Sequence, residues 1–92
     1  MPRDFRGQAY ADTDTATTDA ARRFTTTSTK LRWAAIQITT NTQLFGDSST
    51  QVASYAAGTS FEIEDVDIST LYFKNAGAGS NGTVSIVGVL AD

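Results

Sequence analysis

Ser60-Phe61-Glu62-Ile63-Glu64 alternates apolar and acidic residues with a period of two. In a pleated chain that period sends Phe61 and Ile63 to one side and both glutamates to the other, the mark of a half-buried strand. Upstream, Ala56-Ala57-Gly58 reads as a turn in which glycine supplies a positive φ. Downstream, Asp65-Val66-Asp67 reads as a turn, followed by a strand over Ile68 to Lys74 with Leu71 and Phe73 on one face. Thr83 to Leu90 is the last strand, with Val84, Ile86, Gly88 and Leu90 on one face and Val87 and Val89 on the other. Apolar residues on both sides of that strand point to a second contact. Ala76 to Gly82 is a loop ending in Asn81-Gly82, a hairpin signal.

The same reading extends toward the N-terminus. Leu31 to Thr40 is a strand with Ala34, Ile36 and Ile38 on one face and Leu31, Trp33 and Ala35 on the other. Large residues on both faces indicate a central strand or a bulge that switches the face. Trp33, the single tryptophan, is expected in the core. Asn41-Thr42 is a turn, Gln43 to Phe45 and Thr50 to Ala53 are short strands, and Gly46-Asp47-Ser48-Ser49 is the loop between them. Phe24 to Thr29 is β-branched and polar and suits an edge strand or lead-in. Short strands at this spacing, without a helical period, predict an all-β protein: a small antiparallel β-sandwich or barrel-like domain. Ile36, Ile38, Phe61, Ile63, Leu71, Phe73, Val84 and Ile86 are expected to face inward.

Residues 1–23 differ in kind. Their only large apolar residues are Met1, Phe5 and Tyr10, and Ala11 to Ala21 is low in complexity. Such a stretch buries too little surface to offset about 1–2 kcal/mol of backbone entropy per ordered residue. The reading is an N-terminal arm over 1–23, flexible or ordered on a partner, ahead of a sandwich over 24–92. Residues 1–32 hold six of the seven cations against four acids, and residues 33–92 hold Lys74 against six acids, within a net charge of -3. Arg3, Phe5, Arg6, Tyr10, Arg22 and Arg23 are the candidate partner-binding residues of the arm, the arginines for acidic protein surface and the rings for shallow pockets.

Composition narrows the chemistry. The 92 residues contain no cysteine and no histidine. A disulfide framework, a thiolate nucleophile, a Ser-His triad and a Cys/His metal site are therefore excluded. The acidic balance argues against nucleic acid, and the short apolar runs against a bilayer span. Met1-Pro2-Arg3-Asp4 lacks the apolar run of a secretory signal. Glu62, Glu64, Asp65 and Asp67 suit a Ca²⁺ site by residue type, but a solvated acidic face that protects an edge strand is the preferred reading. Asp12-Thr13-Asp14 opens like an EF-hand loop, but Thr17 and Arg23 stand where its Gly and Glu belong. Asn81-Gly82-Thr83 is a glycosylation sequon only in a secretory context. No catalytic residue, cofactor or metal is assigned, and the expectation is a protein that is not an enzyme.

The succession Leu44-Phe45-Gly46-Asp47-Ser48-Ser49, Ala57-Gly58-Thr59-Ser60-Phe61-Glu62-Ile63, Asp67-Ile68-Ser69-Thr70-Leu71-Tyr72-Phe73 and Gly82-Thr83-Val84-Ser85-Ile86-Val87-Gly88 resembles small β-sandwich structural proteins of tailed-bacteriophage virions. The resemblance covers residues 31–90 and rests on turn chemistry and strand pattern. It implies a capsid decoration (cement) protein that binds the major capsid protein on the outer capsid surface and stabilises capsomer junctions. It also implies a homo-oligomer, as a trimer, assembled onto the virion in the bacterial host cytoplasm. Neck, tail or fibre components, and receptor- or carbohydrate-binding virion modules working through loops 46–58 and 75–82, are the alternatives.

Overall fold

The structure is a computed structural model, and it describes residues 8–17, 20–77 and 81–91. Arg3, Phe5 and Arg6 of the candidate set, and the middle of the 76–82 loop, lie outside the described residues. Among the described residues seven strands follow in order: β1 (Ala9–Thr17), β2 (Lys30–Thr40), β3 (Gln43–Gly46), β4 (Gln51–Tyr55), β5 (Ser60–Asp67), β6 (Tyr72–Asn75) and β7 (Gly82–Leu90). They form two antiparallel sheets, a four-stranded sheet A in the order β1-β7-β2-β5 and a three-stranded sheet B in the order β4-β3-β6. The fold is an all-β sandwich.

The core lies between the sheets. Ala34, Ile36 and Ile38 of β2 and Val84 and Ile86 of β7 meet Phe45 of β3 and Phe73 of β6, with Leu31 and Ile68 at one end. Phe61, Ile63 and Leu71 are half-buried against that cluster, so the expected inward set faces the core throughout. An aromatic chain ties the layers together. Phe61 of sheet A stacks on Tyr55 at 4.1 Å between centroids and meets Phe45 edge-on at 5.1 Å, and Phe45 and Phe73 are 5.7 Å apart. Such pairs contribute about 0.5–1.5 kcal/mol each beyond the area they bury. Behind them, Gln43 and Asn75 pair across β3 and β6 by a side-chain hydrogen bond, both almost wholly buried.

The bulge in β2 is real and explains its two-faced sequence. Its register against β7 shifts between Leu31↔Leu90 and Trp33↔Val89. The extra residue, Arg32, lets Leu31 and Ala34 both point inward although their parities differ. Trp33, beyond the bulge, alternates with the buried Ala34, Ile36 and Ile38, so it lies on the outer side of sheet A and is half-buried, not in the core. Gly88 sits where β7 presses against β2: a Cβ there would stand 2.5 Å from the Trp33 carbonyl oxygen and 2.9 Å from the Ala34 Cβ.

Three expectations are corrected and one is narrowed. The first concerns the arm. Ala9–Thr17 is a strand paired along β7, from Ala9↔Val89 to Thr17↔Gly82, and Tyr10 packs against the core. The segment is held by ladder hydrogen bonds to a strand some seventy residues away in sequence. Its own polarity hides that partner. The second is Asn81-Gly82, which closes no hairpin. β6 belongs to sheet B and β7 to sheet A, so the 76–82 connection crosses between layers. Third, of the two forms expected for Phe24 to Thr29, the segment is the lead-in to β2 and not an edge strand. Thr25 Oγ1 accepts from the Thr27 N–H at 3.1 Å and Thr29 Oγ1 donates to the Thr27 carbonyl at 2.9 Å, local bonds that replace a ladder. Fourth, β5 runs on through Asp67 rather than turning at Asp65, which takes φ 52° inside it. The turn follows instead as a short 3₁₀ segment, Ile68–Thr70, interrupting the expected strand before β6.

Candidate binding surface

Asp67 accepts four hydrogen bonds, from Ser28 Oγ (2.5 Å), the Thr29 N–H (3.0 Å), Ser69 Oγ (2.7 Å) and the Ser69 N–H (3.1 Å). These bonds, led by that from Ser28, hold its carboxyl well below the usual carboxylate range. Its role is to cap the 3₁₀ segment and fasten the 24–29 loop. That takes Asp67 away from Glu62 and Glu64, and Glu62 accepts from Trp33 Nε1 at 3.0 Å. Among the described residues no three acidic side chains gather as metal ligands.

The described arm candidates are engaged within the fold. Tyr10 is half-buried, and burial followed by the charge of Asp12 raises its phenol pKa above the usual range. Arg22 forms a forked pair with Asp14 of β1, Nε to Oδ2 at 2.6 Å and Nη2 to Oδ1 at 3.2 Å. The backbone of Arg22 exchanges two 2.8 Å hydrogen bonds with Phe73, lengthening sheet B by one residue. Arg23 donates to the Ser69 carbonyl at 3.2 Å and lies over the Tyr72 ring at 5.1 Å from its centroid. Arg22 and Arg23 thus latch the chain between β1 and β2 onto β6.

The open surface is the outer face of sheet A. The pairings set its residues in rows that cross the sheet: Ala9, Val89, Trp33 and Glu64, then Ala11, Val87, Ala35 and Glu62, then Thr13, Ser85, Gln37 and Ser60. Three columns are therefore small or apolar in their first two rows, and the β5 column is acidic. Val87, at the centre, is 48% exposed. Beside it lies a shallow depression of about 450 Å³ bounded by Ala35, Gln37, Ser60, Ser85 and Val87. No layer of this chain among the described residues covers the face. The alternation in β7 foretold an apolar second side. Its continuation through Ala9 and Ala11 has no signal in the sequence, because the polar residues of β1 do not read as a strand.

Comparisons with known proteins bear on the fold. No family model matches the chain, and no curated protein matches it. Among solved structures, hydroxypropylphosphonic acid epoxidase from S. wedmorenis superposes with TM-score 0.56 at 14% identity, over 87% of this chain. This chain spans 41% of that enzyme's length. A subunit from the disulfide-linked pili of Bacillus endospore appendages aligns with TM-score 0.47 at 19% identity, covering 91% of this chain and 87% of that one. The Yersinia pseudotuberculosis-derived mitogen gives TM-score 0.42 at 8% identity, covering 94% and 88%. At these identities the first likeness concerns the fold alone.

Proposed function

We propose that this chain is a non-enzymatic structural protein of a tailed-bacteriophage virion, a decoration protein that binds the major capsid protein on the outer shell. The observation that carries the reading is the uncovered apolar face of sheet A centred on Val87. An exposed apolar sheet face on a small domain gains by burial at about 25 cal/mol per Å² when a second surface covers it. In this reading it is the self-association surface of a homotrimer seated at three-fold positions. The turn and strand succession over 31–90 is the further support. With Tyr10, Arg22 and Arg23 engaged internally, the capsid contact falls to Arg3, Phe5 and Arg6, ahead of β1. Several such segments in one oligomer act together by avidity.

The test is occupancy of purified capsids by the intact protein, by a form lacking residues 1–7 and by Val87→Lys. The proposal expects loss of trimer in Val87→Lys and weakened attachment in both variants. Full occupancy by both would overturn it. A second reading, a carbohydrate- or receptor-binding virion module, draws on Trp33, half-buried on the open face beside the depression. Quenching of Trp33 fluorescence by oligosaccharide, with no capsid binding, would favour it.

A further inference from the structure

The two sheets end in four edge strands, and they are not alike. β5 carries Glu62, Glu64, Asp65 and Asp67 within eight residues and is distorted by the positive φ of Asp65. β1 carries Asp12 and Asp14. The open side of β6 is covered by the Arg22 backbone through its two hydrogen bonds to Phe73. Charge, distortion and a covering segment are the devices that keep an edge from pairing with another chain. Among the described residues β4 has neither charge nor a covering segment, and its one irregularity is a register shift against β3 at Val52. Gln51-Val52-Ala53-Ser54-Tyr55 has no charge and no proline, and no charged residue stands between Ser48 and Phe61. Val52, at 73%, is the most exposed large apolar residue described.

We infer that β4 is a second self-contact, pairing antiparallel with β4 of another copy about a two-fold axis, so that two three-stranded sheets become one of six. The occupant follows from charge. The chain is net -3, so two copies repel, and pairing β5 with β5 would set four acids against four. The charge-free stretch around β4 is where two copies approach at least electrostatic cost. An isologous antiparallel edge also matches its own donors and acceptors. Five residues make a contact about 17 Å long, well short of the roughly 1,200–2,000 Å² of a stable interface. The pairing is therefore weak in free solution and gains where copies are already held side by side. It is independent of the trimer face proposed above.

Sedimentation of Val87→Lys, which removes that other contact, separates the two. This protein is expected to pass from monomer to dimer between tens of micromolar and about a millimolar. Over the same range the amides of Val52 to Tyr55 should exchange more slowly as concentration rises. Val87→Lys combined with Val52→Lys should stay monomeric, with an unchanged far-UV spectrum. A Val87→Lys protein that is monomeric throughout overturns the inference. So does a double variant that still dimerises, or dimerisation without protection of the β4 amides. If wild type and Val87→Lys associate alike, the trimer reading fails and the β4 result stands by itself.

Discussion

β7 turns Val84 and Ile86 toward sheet B and Val87 away from it. Val84 is fully buried, whereas Val87, three residues on along the same strand, is 48% exposed. The two sides of β7 are built from similar residues, so composition does not distinguish them. The difference is the layer above: Phe45 and Phe73 cover the inner side, and no described residue forms a layer over the outer one. An apolar residue that a monomer leaves open contributes little to folding, and its contribution falls on association instead.

The contrast breaks most readily on the covered side. Ile86→Ala removes a side chain that is 3% exposed and should cost about 2–5 kcal/mol in urea unfolding. A cost under about 1 kcal/mol would mean that the inner face is assigned wrongly. Removing residues 1–17 strips β1 and the half-buried Tyr10 from β7, with an expected loss of about 1–3 kcal/mol. Removing only residues 1–7 leaves β1 in place and should change stability by less than about 0.5 kcal/mol. Equal stability of the two truncations would return β1 to the status of a free arm.

Asp67→Asn sharpens the account at the end of the sandwich. The folded carboxyl titrates below its unfolded value, so its contribution is present above that value, about pH 4, and is lost as pH falls below it. The variant should be less stable than wild type at pH 7, and the gap should close on acidification below about pH 4. A gap that does not depend on pH would show that the Ser28, Thr29 and Ser69 bonds do not need the charge. Val87→Ser, on the open side, should shift unfolding by no more than about 0.5 kcal/mol while reducing self-association.

The legible parts of this chain were those in which one strand reports its own environment. Ser60 to Glu64 showed its inner face by alternation, and the large residues on both faces of Leu31 to Thr40 fitted a central strand or a bulge; β2 is central and has the bulge, whose place at Arg32 the pattern did not give. Turn chemistry was legible where it is local: Gly58 takes φ 91° and Asn41 φ 63°. What depended on a distant partner was not. β1 holds its place by backbone pairing with β7, and its Ala, Thr and Asp side chains carry almost no trace of that. Asn81-Gly82 carries a strong local signal that a crossing between layers overrides. Trp33 faces outward by plain alternation with Ala34, Ile36 and Ile38, and its size alone suggested the core. The open face of sheet A was half legible, through Val87 and Val89, and its Ala9 and Ala11 column was lost with β1. The latching of Arg22 and Arg23 onto β6 has no sequence signal, because a cation reads the same in an arm and in an internal pair.

The central claim is that this chain coats a shell, and the direct measurement is its copy number relative to the major capsid protein in purified particles. A decoration protein follows the icosahedral symmetry and should be present in on the order of hundreds of copies per particle. About a dozen copies would place it on the tail axis instead, and absence from particles that carry the full capsid complement would contradict the account.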